Sequence, residues 1–247
     1  MSVSQEYVFG WHAVDAVLKR EPERLQRVWI QTGRQDKRVK SVTDALDGLG
    51  VPWKVVHRKE LDERVSGVHQ GVVAAVAESR EWTEDDLLAQ LAASDKPPLL
   101  LVLDGVTDPH NLGACMRTAD AAGVQAVIVP KDKSASLTPV ARKVACGAAE
   151  TVPFVRVTNL ARFLRELKDQ GVWLIGTAGE ADASLYQADF KGAVALVMGA
   201  EGKGMRRLTR EHCDQLINIP MLGHVDSLNV SVATGVCLYE ALRQRLG

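Results

Sequence analysis

Six short apolar runs in the second half of the chain constrain its fold more than any other feature: Leu99–Leu103, Ala126–Val129, Val152–Val157, Val172–Ile175, Ala193–Met198 and Leu216–Ile219. Between most of them lie stretches with helical spacing, Leu112–Ala122, Thr138–Cys146, Leu160–Gln170 and Met205–His212, and a last helix is expected over about Asn229–Gln244. A strand buried on both faces reads as an unbroken apolar run, and a parallel partner has to be reached through a crossover, usually a helix. The alternation therefore predicts a parallel α/β sheet with helices on both sides. Ligands in such sheets bind beyond the carboxyl ends of the strands, so functional residues are expected just after the apolar runs.

The first 77 residues read as a separate, smaller α/β unit, with helices over Trp11–Lys19 and Arg38–Leu49 and strands at Arg27–Gln31, Trp53–Val56 and Val72–Val76. An acidic stretch closing on Asp95-Lys-Pro-Pro separates the two, and residues 78–98 are expected to connect them, with room for a short helix around Leu87–Ala92. Net charge is −1, which argues against indiscriminate coating of nucleic acid. The charge is uneven, however: between Lys19 and Lys40 stand eight basic residues against three acidic ones. Arg34, Lys37 and Arg38 in that run are candidate phosphate contacts, although a solvated face accounts for the same pattern.

The four cysteines are widely spaced in apolar or helical contexts, and the six histidines show no ligand-like spacing. Buried free thiols in a reducing cytoplasm and no metal site are the expectation. No apolar run approaches the roughly 20 residues that span a bilayer, and the first residues show neither the basic nor the apolar region of a signal peptide. A membrane partner is not expected.

Three loops follow the predicted strands. The first, Asp104-Gly-Val-Thr-Asp-Pro-His-Asn111-Leu-Gly, leads into a helix of small apolar residues from which Asn111 and Arg117 stand out. It is not the dinucleotide fingerprint GxGxxG. A helix cap at Asn111 and a surface charge at Arg117 fit these residues equally well. The second, Gly199-Ala-Glu-Gly-Lys-Gly-Met-Arg-Arg, has glycines that admit close backbone approach, with Glu201, Arg206 and Arg207 beside them. A phosphate-binding P-loop is excluded, because Val197 and Gly204 occupy the positions of its first glycine and its hydroxyl residue. In the third, Pro220-Met-Leu-Gly-His-Val-Asp-Ser-Leu-Asn-Val-Ser-Val-Ala, Ser227 and Asn229 precede an apolar helix and also read as caps. A non-catalytic RNA-binding protein and a nucleotide enzyme remain open on these residues alone.

Taken together, in this order and spacing, the loops resemble the SpoU-type ribose 2′-O-methyltransferases of the SPOUT class. Asn111-Leu-Gly…Arg117 is similar to the first motif of that family, Met198-Gly-Ala-Glu-Gly to the second, and Ile219-Pro-Met…Ser227-Leu-Asn229-Val-Ser-Val-Ala to the third. Gly10-Trp-His-Ala, Gly67-Val-His-Gln-Gly and Val144-Ala-Cys-Gly-Ala-Ala-Glu extend the likeness over nearly the whole chain, and Asp226 departs from it where a small polar residue is usual. The resemblance is strongest to the group that methylates one guanosine ribose of 23S ribosomal RNA near the peptidyl-transferase centre. It implies a small N-terminal ribosomal-protein-like RNA-binding domain over 1–77. Residues 99–247 would then form a parallel-sheet domain ending in a deep trefoil knot. It also implies a homodimer acting in the cytoplasm on large-subunit ribosomal RNA, with S-adenosylmethionine as cofactor. The cofactor would lie against Thr177, Met198, Gly199, Ala200, Gly202, Ile219, Met221 and Leu228. Arg117 would be the base at the ribose hydroxyl, and Asn111, Glu201, Ser227 and Asn229 would orient the reacting groups. Arg206 and Arg207 would join Arg34, Lys37 and Arg38 on RNA.

Overall fold

A valine-rich strand buried on both faces needs a cover on each side, and the N-terminal part of the fold supplies both. In the computed structural model, which describes residues 6–33, 37–77 and 81–247, the described residues up to Ala77 form one compact unit and those from Glu81 a second. The first unit runs β1 (Glu6–Phe9), α1 (Trp11–Arg20), β2 (Leu25–Gln31), α2 (Lys37–Leu49), β3 (Trp53–Val56), α3 (Arg58–Asp62) and β4 (Val72–Val76). Its sheet has the order β1-β4-β2-β3, with β4 antiparallel to both neighbours and β3 parallel to β2. Successive side chains of a strand point to opposite faces. Val72, Ala74 and Val76 therefore meet Val14 and Val17 of α1 and Val42 and Leu46 of α2, while Val73 and Ala75 meet Trp29, Val56 and Leu61. β1 and α3 are not anticipated from the sequence, because β1 has only four residues and α3 is five residues long and mostly polar.

The second unit continues with α4 (Glu84–Ala92), β5 (Leu99–Asp104), α5 (Pro109–Ala121), β6 (Ala126–Pro130), α6 (Pro139–Ala145), β7 (Phe154–Val157), α7 (Leu160–Asp169), β8 (Trp173–Thr177), β9 (Ala183–Ser184), β10 (Val194–Gly199), α8 (Arg207–His212), β11 (Gln215–Asn218) and α9 (Val230–Leu246). Its strands lie in the order β7-β6-β5-β10-β8-β11-β9, and every neighbouring pair is parallel. The two-sided sheet expected from the apolar runs is thus present. Leu99, Leu101 and Leu103 of β5 enter a core shared with α5, α6 and α9, whereas Leu100 and Val102 enter another with α4 and α7. The order also puts β11 between β8 and β9, which are joined directly by residues 178–182.

The stretch expected to connect the units is largely part of the second. Leu87 of α4 is fully buried among Leu100, Val155 and Phe163, and Trp82 pairs with Val155. The acidic residues that suggested a linker start this helix. Asp86 and Thr83 form a reciprocal cap, and negative charge in a first turn is favourable at the positive end of the helix dipole. Glu84 accepts from Thr158 N at 3.0 Å and pairs with Arg162 on α7. The cysteines divide as well. Cys115 and Cys237 are buried and Cys213 partly so, whereas Cys146 is exposed, contrary to the expectation of four buried thiols. Burial pushes Cys115 up to about 11 and Cys213 and Cys237 up to about 12.

Replacing Leu87 with Ala empties a site that α4 fills from above the sheet. It is expected to lower unfolding free energy by about 2–4 kcal/mol, read as a lower denaturant midpoint. An unchanged midpoint would return residues 81–98 to the status of a linker.

Candidate active site

The carboxyl ends of four adjacent strands are level, and the three loops leave from them. Leu103 pairs with Met198, and Gly199 with Asp104, across β5 and β10. Ile217 pairs with Thr177 of β8 on one side and with Ala183 of β9 on the other. Ala178 N donates to Ile217 O at 2.9 Å, and Thr177 Oγ1 donates to Val197 O at 3.4 Å. The segments after Thr177, Gly199 and Asn218 therefore start side by side.

The glycine-rich loop is a tight turn closed on itself. Ala200 N donates to Gly204 O at 3.1 Å and Gly204 N to Ala200 O at 2.9 Å. Gly202 and Gly204 have φ of +72° and +64°, the left-handed region in which only glycine is free of strain. A Cβ on Gly199 would lie 2.3 Å from both Gly204 C and Met205 N. Glycine is required there by the protein's own backbone, a reason separate from the expected one, close approach of a ligand.

Glu201, at the tip of this turn, collects the other two loops. Its Oε1 accepts from Asn229 Nδ2 at 2.7 Å, from Val230 N at 3.1 Å and from Asn111 Nδ2 at 3.4 Å. Asn229 Nδ2 also donates to Asn111 Oδ1 at 3.0 Å. Asn229 is at the same time the N-cap of α9, its Oδ1 accepting from Ser231 N at 2.9 Å. Its cap reading and its site reading both hold. For Asn111 the cap reading fails, because Asp108 caps α5 by accepting from His110 N at 2.9 Å. Charge suits this place as well, since a carboxylate at the amino end of α9 faces the positive end of the helix dipole.

The remaining expected residues fall into separate groups. Ser227 is exposed and donates to Asp226 Oδ1 at 3.1 Å, with no bond to the Glu201 cluster. Arg117 is exposed on α5, and its Nη1 reaches Cys146 Sγ at 3.6 Å rather than Asn111 or Glu201. That contact depends on close helix packing: a Cβ on Gly113 of α5 would lie 2.5 Å from Ala141 O of α6. Ile219, Met221 and Leu228 are half-exposed along the third loop, and Leu222 is fully exposed. Arg206, expected on RNA, keeps an exposed side chain while its inner edge is tied to the protein. Its Nε lies 3.2 Å from Asp104 Oδ1, its peptide N donates to Asp104 Oδ2 at 2.8 Å, and its Nη2 donates to Asp132 O at 3.0 Å. Arg207 pairs with Glu211 at 2.9 Å on the solvent side. Lys37 and Arg38 open α2, with Arg38 Nη2 3.3 Å from His12 Nδ1. Arg34 lies outside the described residues.

Sequence reasoning missed Asp104. Its side chain is wholly buried and ties the start of α8 to the end of β5. The signal was available, because a carboxylate closing an otherwise apolar buried strand needs a cationic or peptide partner.

Could these loops hold S-adenosylmethionine? Among the described residues, the peptide groups of 219–228 form no backbone-to-backbone hydrogen bonds. Together with half-exposed Ile219, Met221 and Leu228 they offer what a purine needs, apolar faces plus free peptide donors and acceptors. The residues fit the cofactor. Among the described residues no three His, Cys, Asp or Glu side chains converge as a metal site, and no helix is long and apolar enough to cross a membrane.

Comparison with known proteins adds a second line of findings. A model described as the SpoU rRNA Methylase family matches residues 98–239, and one described as RNA 2′-O ribose methyltransferase substrate binding matches residues 7–82. The chain is 63% identical over 240 residues to the 23S rRNA (guanosine-2′-O-)-methyltransferase RlmB of Pseudomonas aeruginosa, covering 97% of each chain. It is 61% identical over 241 residues to the protein of the same name from Escherichia coli, covering 97% of this chain and 99% of that one. The crystal structure of an AdoMet-bound rRNA methyltransferase from Sinorhizobium meliloti matches with a TM-score of 0.75 at 26% identity, covering 98% of this chain and 88% of that one.

Glu201→Ala leaves Asn229 Nδ2 and Val230 N without their acceptor. A loss of about 1–3 kcal/mol in stability is expected in chemical denaturation, with weakened cofactor affinity in calorimetry. Wild-type values for both would remove Glu201 from the centre of the site.

Proposed function

The chain belongs to the SpoU rRNA methylase family, and from that membership we propose that it methylates the ribose 2′-hydroxyl of one guanosine in 23S ribosomal RNA, near the peptidyl-transferase centre, with S-adenosylmethionine as methyl donor. The observation that carries the reading is the meeting of Asn111, Glu201 and Asn229, one from each loop, at the level ends of the parallel strands.

The cofactor supplies an already activated methyl group, so the protein's task is positioning and removal of one proton. A ribose hydroxyl is a very weak acid at neutral pH. A guanidinium, with a pKa above about 12, is a poor proton acceptor but a strong stabiliser of a developing alkoxide. We assign Arg117 that part. Thr177, Met198, Ala200, Gly202, Ile219, Met221 and Leu228 would hold the cofactor, with Gly199 shaping the turn that carries Glu201. Ser227, exposed beside Asp226, would meet substrate.

Three further elements belong to this reading. The first unit would select the RNA, supported by the substrate-binding family model over it and by Lys37 and Arg38 at the head of α2. The C-terminal segment would thread the loop 178–182 as a trefoil knot, supported by the place of β11 between β8 and β9. A second copy of the chain would complete the enzyme, supported by exposed Val232, Tyr239 and Leu246 on α9, which leave that helix apolar on its outer side. The protein would work in the cytoplasm, where its substrate is made.

Arg117→Ala is expected to abolish methyl transfer while cofactor affinity stays within a few-fold. Near-normal turnover would remove Arg117 from the mechanism. Reversing Lys37 and Arg38 to Glu is expected to weaken RNA binding and flatten the slope of log affinity against log salt by about one to two, with cofactor binding intact. An unchanged slope would make that face a solvated one only.

A further inference from the structure

Two segments far apart in sequence, Gly10-Trp-His-Ala and Gly67-Val-His-Gln-Gly, build one turn in the first unit. Trp11, almost fully buried, donates its indole Nε1–H to Gln70 O at 2.8 Å. His69, also buried, accepts from Gly71 N at its Nδ1 at 3.0 Å, which leaves Nε2–H to donate to Asp62 Oδ1 at 2.9 Å. Gly67 packs under Phe9, where a Cβ would lie 2.7 Å from the ring. Gly10 has φ +87°, and the Gln70 side-chain oxygen lies 3.7 Å from where its Cβ would be.

All this construction fixes Gln70 at φ +51°. Glycine would occupy that left-handed position without strain, and among side chains the short polar ones tolerate it best. Glutamine has neither advantage. Its carboxamide is exposed and makes no hydrogen bond to a protein group among the described residues. A long amide on an over-determined, strained turn is a preorganised hydrogen-bonding group without an internal task. Its neighbours set the kind of ligand. His12 follows Trp11, is exposed, and lies 3.3 Å from Arg38 Nη2, with Lys37 beside it. An amide that can donate and accept together matches the edge of a nucleobase, and adjacent cations match its phosphates.

We infer that Gln70 is a specificity-determining residue that reads the edge of an unpaired base in the RNA substrate, beside phosphate contacts from Arg38 and Lys37. This deepens the proposed function and rests on its RNA-binding assignment of the first unit.

The test uses the full chain, in-vitro transcribed 23S ribosomal RNA, and the variants Gln70→Gly and Gln70→Asn. Gln70→Gly relieves the backbone, so its melting temperature should equal or exceed wild type. Its kcat/KM on the RNA should fall roughly five- to a hundredfold, the range lost with one good base contact. Methylation should spread to other riboses, cofactor affinity should hold, and the salt slope should stay at the wild-type value, because no phosphate contact is removed. Wild-type kcat/KM with unchanged site choice overturns the inference. So does a loss of activity that accompanies loss of fold in both variants, which would assign the turn a structural part only. If the wild-type chain binds S-adenosylmethionine but does not methylate this RNA, the proposed substrate fails. Gln70 is then decided by RNA affinity, where equal affinity of Gln70→Gly and wild type overturns it.

Discussion

One carboxylate oxygen holds the site together. Glu201 Oε1 receives donors from the cap and first turn of α9 and, more weakly, from α5, so three segments that leave different strands are tied at a single atom. Such a junction works only if its carrier is rigid. The turn from Ala200 to Gly204 is hydrogen-bonded to itself at both ends, and the chain next to it is fixed to β5 through Asp104 and Arg206. Loss of the Glu201 carboxyl group would leave an amide and a peptide N–H without their acceptor, which costs more than the bonds themselves contribute.

Arg117 is held by a different route. Gly113 lets α5 and α6 approach until a backbone carbonyl fills the place of a missing Cβ. The approach brings the exposed thiol of Cys146, at the left-handed end of α6, to the guanidinium. Asn111 and Arg117 thus sit on the same helix but answer to separate neighbours. Asn111 is near the start of α5, and Arg117 is six residues further on, facing another side.

The sheet was legible in the sequence because a strand buried on both faces has no polar positions to blur it, as Leu99–Leu103 and Ala193–Met198 demonstrate. The helices between were legible from their spacing. The small elements were not. β1 and α3 are too short for a periodic signal, and of α4 only the part around Leu87–Ala92 was anticipated, its acidic first turn being assigned by composition to a linker. In the site, Asn111, Glu201 and Asn229 stood out weakly in their loops, were joined into one site by the resemblance to a family's motifs, and do meet. What spacing could not supply was direction. Arg206 is anchored at one edge because a buried carboxylate, Asp104, needs a partner, and Gly199 is glycine because of residues that follow it in the same turn. The first depends on a contact between distant segments and the second on the exact shape of one turn, and neither is given by the spacing of residue types.

The strand order carries a consequence in time. β11 lies between β8 and β9 and, with α9, follows every other strand and helix in the chain. During synthesis the first two loops emerge and can assume their shapes while the third does not yet exist. Glu201 then has neither Asn229 nor Val230 to receive. A nascent or truncated chain that stops before Gln215 would carry most of the core of the second unit and none of its completed site. Competence therefore arrives only once the chain has been made past Val230, and until then the loops made earlier have no third partner to close on.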